Sequence, residues 1–279
     1  MEDRILSQHM LIKFKEHMTE EEKSPVTIEK YLRDINRFRD FACGRKVEKN
    51  LVAEYKKLLN RQGYTTRSVN SMLASLNCFL KFAGWNDCTV KNIRLQKQAY
   101  CPEEKELTKA EYMRLLEAAD KKEQLQLVMQ TICSTGIRIS ELKYFTVEAV
   151  AEGQIVVYCK NKVRTIFVPQ KLKKLLLAYA KKQRITDGCI FVTKGGKPLD
   201  RSNIWAQMKK LCTKAKVNPA KVFPHNLRKL FAKIFYSIEK DIAKLADILG
   251  HSSIETTRIY IMTSGAEHRR KIEKMGLLA

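Results

Sequence analysis

Apolar positions recur at helical spacing through the N-terminal third of the chain. Ile28, Tyr31, Leu32, Ile35 and Phe38 fall on one helical face, behind a Ser24-Pro25 pair that supplies a hydroxyl cap and a first-turn proline. A second face uses Leu51, Tyr55, Leu58 and Leu59 and stops at Gly63. A third uses Val69, Met72, Leu73, Leu76, Phe79 and Leu80, with Gly84 placed to cap its C-terminus. Ile5 to His17 is also amphipathic. Four helices with short connections predict a small bundle over residues 1–85.

The periodicity fades from Trp85 to Leu107, a charged stretch containing Cys101-Pro102, which predicts an interdomain linker over 86–107. Thr108-Lys109-Ala110-Glu111 is a capping box ahead of Tyr112, Leu115 and Leu116, so a second domain is expected over 108–279. Its pattern is mainly helical with a small β insertion. Gln154 to Lys160 and Val163 to Val168 alternate as two strands around a tight turn at Asn161, and Pro169 ends the second. Cys189 to Val192 is a third short strand by the same signals. Helices fit Ser202–Cys212, His225–Tyr236 and Asp241–Leu249, with a last one after Tyr260. There is no internal repeat or low-complexity tract.

Composition narrows the class. Lys and Arg number 53 against 30 Asp and Glu, a formal net charge of +23 spread along the whole chain. Such a surplus on a folded chain of 44% apolar residues points to a polyanionic partner, most often nucleic acid. The eight cysteines form no CxxC pair and are expected to be core residues or free thiols, not a zinc site. The N-terminus lacks the apolar core of a secretory signal, and no apolar run approaches the roughly 18 residues of a membrane span. A reduced, cytoplasmic protein with no membrane contact is expected.

Four clusters in the second domain could carry chemistry. Arg138 follows Gly136 at the mouth of a helix. It can offer its fork to a phosphate, or pair with a carboxylate such as Glu141. Cys159-Lys160-Asn161-Lys162 puts lysines on a hairpin tip that can enter a DNA groove or stay solvated. His225 and Arg228 share a helical face, either as an ordinary helix start or as a phosphate-neutralising, proton-moving pair. The last cluster is Gly250-His251 with Tyr260, a tyrosine between isoleucines that by itself fits core packing. Together they can surround one phosphate with cations, protonate a leaving oxygen and supply a nucleophilic hydroxyl. The sequence shows no carboxylate cluster with metal-ligand spacing and no Gly-rich phosphate loop, so no metal and no cofactor are expected.

In order along the chain, TGIRISEL with Arg138, the hairpin lysine, HNLR with His225 and Arg228, LGHSS with His251 and TTRIY with Tyr260 resemble the motifs of tyrosine recombinases of the phage integrase family. The resemblance covers nearly the whole chain and implies a helical core-binding domain followed by a tyrosine-recombinase catalytic domain. It implies that Tyr260 attacks a DNA phosphate to form a 3′-phosphotyrosyl link, that Arg138 and Arg228 clamp the non-bridging oxygens, and that Lys160 protonates the departing 5′-oxygen. His225 would assist proton transfer at the tyrosine and His251 would hydrogen-bond the phosphate. Exchange would run on a homotetramer on synapsed double-stranded DNA, through a Holliday junction, with an accessory directionality factor as a further partner. The outcomes left open are integration, excision, inversion and chromosome-dimer resolution; a chain without an arm-binding domain leads to the expectation of integration, excision or inversion of a mobile element.

Two departures stand out. The hairpin turn is one residue shorter than the common Gly-Lys-Gly-Asn-Lys run, which leaves Lys162 as the alternative to Lys160 for the general acid and otherwise a DNA contact. Lys229 follows Arg228 where a histidine is common. Arg67, at a helix start in the first domain, is a further DNA-binding candidate, with a solvated helix start as the alternative. The chain opens almost directly with the bundle, so an extra arm-binding domain is not expected and the target site should be short. The tail from Ala266 to Ala279 is a short helix that docks on a neighbouring protomer or on its own domain. The rival activities are DNA relaxation of the type IB topoisomerase kind and DNA binding without catalysis.

Overall fold

The computed structural model describes residues 4–95, 106–159, 162–193, 195–262 and 265–275. The chain divides into two compact units, Met1–Lys97 and Gln98–Ala279. Among the described residues, no helix is long and apolar enough to cross a membrane.

The first unit is built from α1 (Gln8–Glu20), α2 (Pro25–Ala42), α3 (Lys49–Arg61) and α4 (Thr66–Phe82). Ser7, Ser24 and Thr65 cap α1, α2 and α4 through their hydroxyls. The three apolar faces expected from the sequence converge in one core, with Phe14, Ile35, Phe38, Leu59, Leu73 and Phe79 fully buried. Each such side chain contributes about 1.5–3 kcal/mol of transfer free energy. A polar network joins α2 to α4: the buried Asp34 carboxylate accepts from Ser75 Oγ at 2.9 Å and pairs with Lys30 at 2.8 Å.

The expected linker is narrower than the fading periodicity suggests. Asn86–Cys88 form a 3-10 turn with Cys88 buried in the bundle. Beyond it, the chain is strapped along α4 by two asparagines. Asn77 exchanges bonds of 2.8 and 3.1 Å with the Val90 backbone, and Asn70 does the same with Ile93 at 2.9 and 2.8 Å. A carboxamide offers one acceptor and two donors, so each satisfies a peptide unit as a neighbouring strand would. At the other end, Leu107 is already buried in the second unit's core, and Glu106 pairs with Lys233 at 2.5 Å.

The second unit comprises α5 (Lys109–Ala118), α6 (Glu123–Thr135), α7 (Val147–Glu152), β1 (Gln154–Cys159), β2 (Lys162–Phe167), α8 (Gln170–Lys182), α9 (Arg201–Ala215), α10 (Pro224–Glu239), α11 (Ile242–Leu249), α12 (Ile254–Ile261) and α13 (Gly265–Glu273). The capping box at Thr108 and Glu111 is formed in both directions. Helix α6 has no exposed residue and packs chiefly on α10. The hydroxyls of Thr131 and Thr135 on its buried faces bond back to the carbonyls of Leu127 and Thr131 at 2.8 and 2.6 Å.

Strands β1 and β2 pair antiparallel, from Gln154 opposite Phe167 to Cys159 opposite Lys162. Ile155, Val157, Ile166 and Val168 face the core. The third strand expected at Cys189–Val192 is not formed. Cys189 and Val192 make isolated bridges to Thr146 and Pro198, because Ile190 and Phe191 are drawn into the core and Ile190 bonds to the Phe145 carbonyl. Tyr260 lies within α12, one residue from its end, and α13 is the helix that follows it.

The asparagine straps carry a test. Replacing Asn70 and Asn77 together by alanine leaves four backbone groups to find new partners, each costing about 1 kcal/mol. The melting temperature of the first unit's transition should fall by several degrees. An unchanged melt would show that the straps hold nothing.

Candidate active site

Helix α6 ends at Gly136, whose φ of +66° is left-handed. A Cβ at this position would run into the Phe231 ring, so the turn needs glycine for close approach as well as for conformation. The chain then extends through buried Ile137 and enters a 3-10 helix, Ile139–Tyr144, with Arg138 at its N-cap. The Arg138 amide donates to Glu141 Oε2 at 2.7 Å, Nη1 donates to Oε1 at 3.0 Å, and Nη2 donates to the Gly250 carbonyl at 3.1 Å. Arg138 therefore is paired with Glu141, yet a third of its side chain stays at the surface.

Arg228 sits one helical turn beyond His225, at the start of α10, where Pro224 occupies the first turn. It is 1% exposed. Its Nη1 donates to the Gly136 carbonyl, and its Nη2 to the Leu249 carbonyl at 2.5 Å and to His251 Nε2 at 3.1 Å. Both carbonyls lie at helix C-termini, where acceptors are left over and the helix dipole is negative. Burial, and then Arg138, lower the Arg228 pKa to about 10, which leaves it a cation at neutral pH.

Asp241 caps α11, and the helix ends at Gly250 with φ +63°. A Cβ here would strike the Arg164 guanidinium. His251 follows. Its Nε2 faces an arginine that can only donate, so it must accept, and the ring proton belongs on Nδ1, which donates to Thr257 Oγ1 at 2.9 Å. Burial, followed by Arg228, Arg138, Arg164 and His225, pushes the His251 pKa down to about 4. The His225 pKa is lowered too, by the protein packed around the ring and then by Lys229, Arg228 and Arg138.

Tyr260 is 7% exposed. It packs with Ala232, Leu245 and Leu249. Both histidines lie edge-on to its ring, His225 at 5.1 Å and His251 at 4.9 Å between centroids. The packing expected of this tyrosine is formed: its ring is part of a small core, and that core lies against His225 and His251.

Arg138, His225, Arg228, His251 and Tyr260 are brought together from α6, α10, α11 and α12. Lys160 lies outside the described residues, and of Lys162 only the backbone that opens β2 is described. Arg67 is exposed in the first turn of α4, in the other unit. Two further residues belong to the site. Arg164 Nη2 pairs with Glu141 Oε2 at 2.7 Å, and Thr257, fully buried, holds His251. The signal for Arg164 was available: it shares the inward face of β2 with Ile166 and Val168, where an arginine is out of place unless paired. Thr257 carried no comparable signal.

The model of the phage integrase family matches residues 105–267, and that of the phage integrase N-terminal SAM-like domain matches residues 11–87. The chain belongs to the phage integrase family of tyrosine recombinases. Tyrosine recombinase XerA of Pyrococcus furiosus is 28% identical over 288 residues, covering 100% of this chain and 98% of that protein. A lambda integrase (75-356) dimer bound to a COC' core site shares the fold, with a TM-score of 0.74 at 16% identity over 93% of this chain and 96% of that one. So does a lambda integrase tetramer bound to a Holliday junction, with a TM-score of 0.72 at 17% identity over 92% and 78%.

The neutral histidine of this tyrosine recombinase has a consequence for stability. The His251 pKa is about 4 in the folded chain against an ordinary 6.5. Its contribution is full above the ordinary value and is lost as pH falls through that interval. The melting temperature should therefore drop between about pH 7 and about pH 4.5, and His251→Gln, which keeps an acceptor for Arg228 and a donor for Thr257, should flatten the decline. Parallel declines in both proteins would exclude His251 as the source.

Proposed function

We propose that this chain is a site-specific recombinase that cuts and rejoins duplex DNA through a 3′-phosphotyrosyl link on Tyr260. The observation that carries this reading is the placement of Tyr260 against two histidines whose pKa values are lowered by burial and then by neighbouring cations, among them the arginines that would receive a phosphate.

The Tyr260 hydroxyl oxygen attacks phosphorus as its proton passes to His225, whose ring lies edge-on to the tyrosine. The bond from phosphorus to the 5′-oxygen breaks, and Lys160 on the hairpin turn protonates that oxygen; Lys162 is the alternative donor. Arg138 and Arg228 hold the non-bridging oxygens, replacing with fixed cations the charge stabilisation that metal ions provide in other phosphoryl transfers. For His251 to donate to the phosphate through Nε2, Arg228 must release that nitrogen and the ring proton must move from Nδ1 to Nε2, with Nδ1 then accepting from the Thr257 hydroxyl. The reverse attack by a 5′-hydroxyl of a partner strand reseals the backbone, so the phosphodiester energy is conserved and no nucleotide cofactor is consumed.

The first unit acts as a core-binding clamp, with Arg67 at the α4 N-terminus contacting phosphate. Lambda integrase solved as a tetramer on a Holliday junction supports a tetrameric synapse and a junction intermediate for this chain. Exposed Ile272 and Met275 on the α13 side support docking of that helix on a neighbouring protomer. The setting is cytoplasmic, and the outcome is integration, excision or inversion of a mobile element, with a directionality factor as an accessory partner.

The test is covalent capture. The protein is incubated with its native flanking DNA, including nicked suicide duplexes, and denatured, and the attached peptide and sequence are identified. DNA on Tyr260 is expected. Tyr260→Phe keeps the ring volume and should bind DNA with the same steep salt dependence while yielding no adduct. An adduct that survives Tyr260→Phe would assign the nucleophile elsewhere. Relaxation of supercoiled DNA without paired sites would favour topoisomerase chemistry.

A further inference from the structure

We propose that Arg164 is a positioning residue that shares the Glu141 carboxylate with Arg138 and so keeps the Arg138 charge available to a phosphate. This rests on the reading that the site receives a phosphate.

Glu141 is a buried carboxylate, its side chain 3% exposed, and it is committed on both oxygens. Oε1 accepts from Arg138 Nη1 at 3.0 Å, and Oε2 accepts from Arg164 Nη2 at 2.7 Å and from the Arg138 amide at 2.7 Å. A buried carboxylate demands compensation. Were Arg138 its only guanidinium partner, the favoured arrangement would be a closed bidentate pair, neutral and occupying the fork that a phosphate needs. In the structure Arg138 instead gives one guanidinium nitrogen to Glu141 and the other to the Gly250 carbonyl. Arg164 supplies the rest of the compensation from the far side.

The geometry that permits this is specific. Arg164 projects from the inward face of β2 with 12% of its side chain exposed, and it passes directly beneath Gly250, where a Cβ would collide with its guanidinium. It is therefore held between the hairpin strand and the turn that carries His251. Its charge also contributes to the lowered pKa values of Arg228 and His251, which places it within electrostatic reach of both. With two arginines on one carboxylate the cluster keeps a positive charge before Arg228 is added.

The experiment compares Arg164→Met, Arg164→Met with Glu141→Gln, and Arg164→Lys in the full chain. One readout is the rate of covalent capture on a nicked duplex from the native flanking DNA. The other is titration with inorganic phosphate followed by the ring resonances of His225 and His251. Arg164→Met should lower the capture rate and the phosphate affinity roughly tenfold, the scale of coupling between contacting charges. Adding Glu141→Gln should restore most of both, because the acid that closes on Arg138 is gone. Arg164→Lys should fall between, since an ammonium keeps the charge but not the planar fork.

Equal loss in the single and double variants would overturn the proposal and make Arg164 a direct phosphate ligand or a packing residue, as would an unimpaired Arg164→Met. Should Arg164→Met not fold, the double variant decides alone: it removes opposite charges together, a change of small net cost, and a tenfold or greater loss in it also overturns the proposal. Wild-type protein that captures no DNA but shows the phosphate pattern would sink the recombinase reading and leave Arg164's role standing. Capture without the pattern would do the reverse, and a wild type silent in both would end both.

Discussion

The fold around the site depends on one buried cation. Arg228 is almost wholly removed from water, and its guanidinium is held by the carbonyls that close α6 and α11. Removing an arginine from solvent is expensive unless its donors are satisfied. Here Nε finds no partner among the described residues, while Nη1 and Nη2 find leftover acceptors at two helix ends, each end carrying a partial negative charge of about half an elementary unit. Such partners fix the position and orientation of the guanidinium without cancelling its charge as a bonded carboxylate would. The result is a pre-positioned cation whose counter-charge is incomplete, which is the condition for receiving an anion with little reorganisation.

That choice of partner sets the protonation of everything nearby. Burial, and then three guanidinium groups, from Arg228, Arg138 and Arg164, hold His251 neutral far below ordinary histidine behaviour. A neutral ring can accept from Arg228 at one nitrogen and donate to Thr257 at the other; a protonated ring could not accept at all. Burial, then Lys229, Arg228 and Arg138, lower the pKa of His225 beside the tyrosine as well. Burial and the cations thus act in the same direction on both histidines, and the proposed proton acceptor and anion site share that surrounding.

Much of this was legible in the sequence, and the limits have physical reasons. The bundle helices were readable because each buries a single face, and their caps are local hydroxyl contacts. Arg138, His225, Arg228, His251 and Tyr260 were readable as an ordered set of motifs, although nothing in any one motif brings it to the others. Asn86 to Ile93 was misplaced because its attachment to the bundle is made by backbone groups meeting Asn70 and Asn77, which leave no apolar periodicity. Cys189 to Val192 is a short apolar run that reads as a strand but pairs only through isolated bridges, so burial of Ile190 and Phe191 decides its path. The Arg138–Glu141 pairing is formed, and it excludes the proposed phosphate role less than the sequence suggests, because a second arginine shares the same carboxylate.

The two glycines that frame the site show how that compatibility is built. Gly136 and Gly250 each end a helix in the left-handed conformation, and each lies where a side chain would collide, with Phe231 in one case and Arg164 in the other. Ending the helix turns a carbonyl outward, and lacking a Cβ lets a neighbouring group close in behind it. The Gly136 carbonyl goes to Arg228 and the Gly250 carbonyl to Arg138, while the space over Gly250 goes to Arg164. An alanine at Gly250 would therefore oppose the left-handed turn and the Arg164 placement at once, and through Glu141 it would reach Arg138. The electrostatics of the site are set where the helices stop, not along their packed lengths.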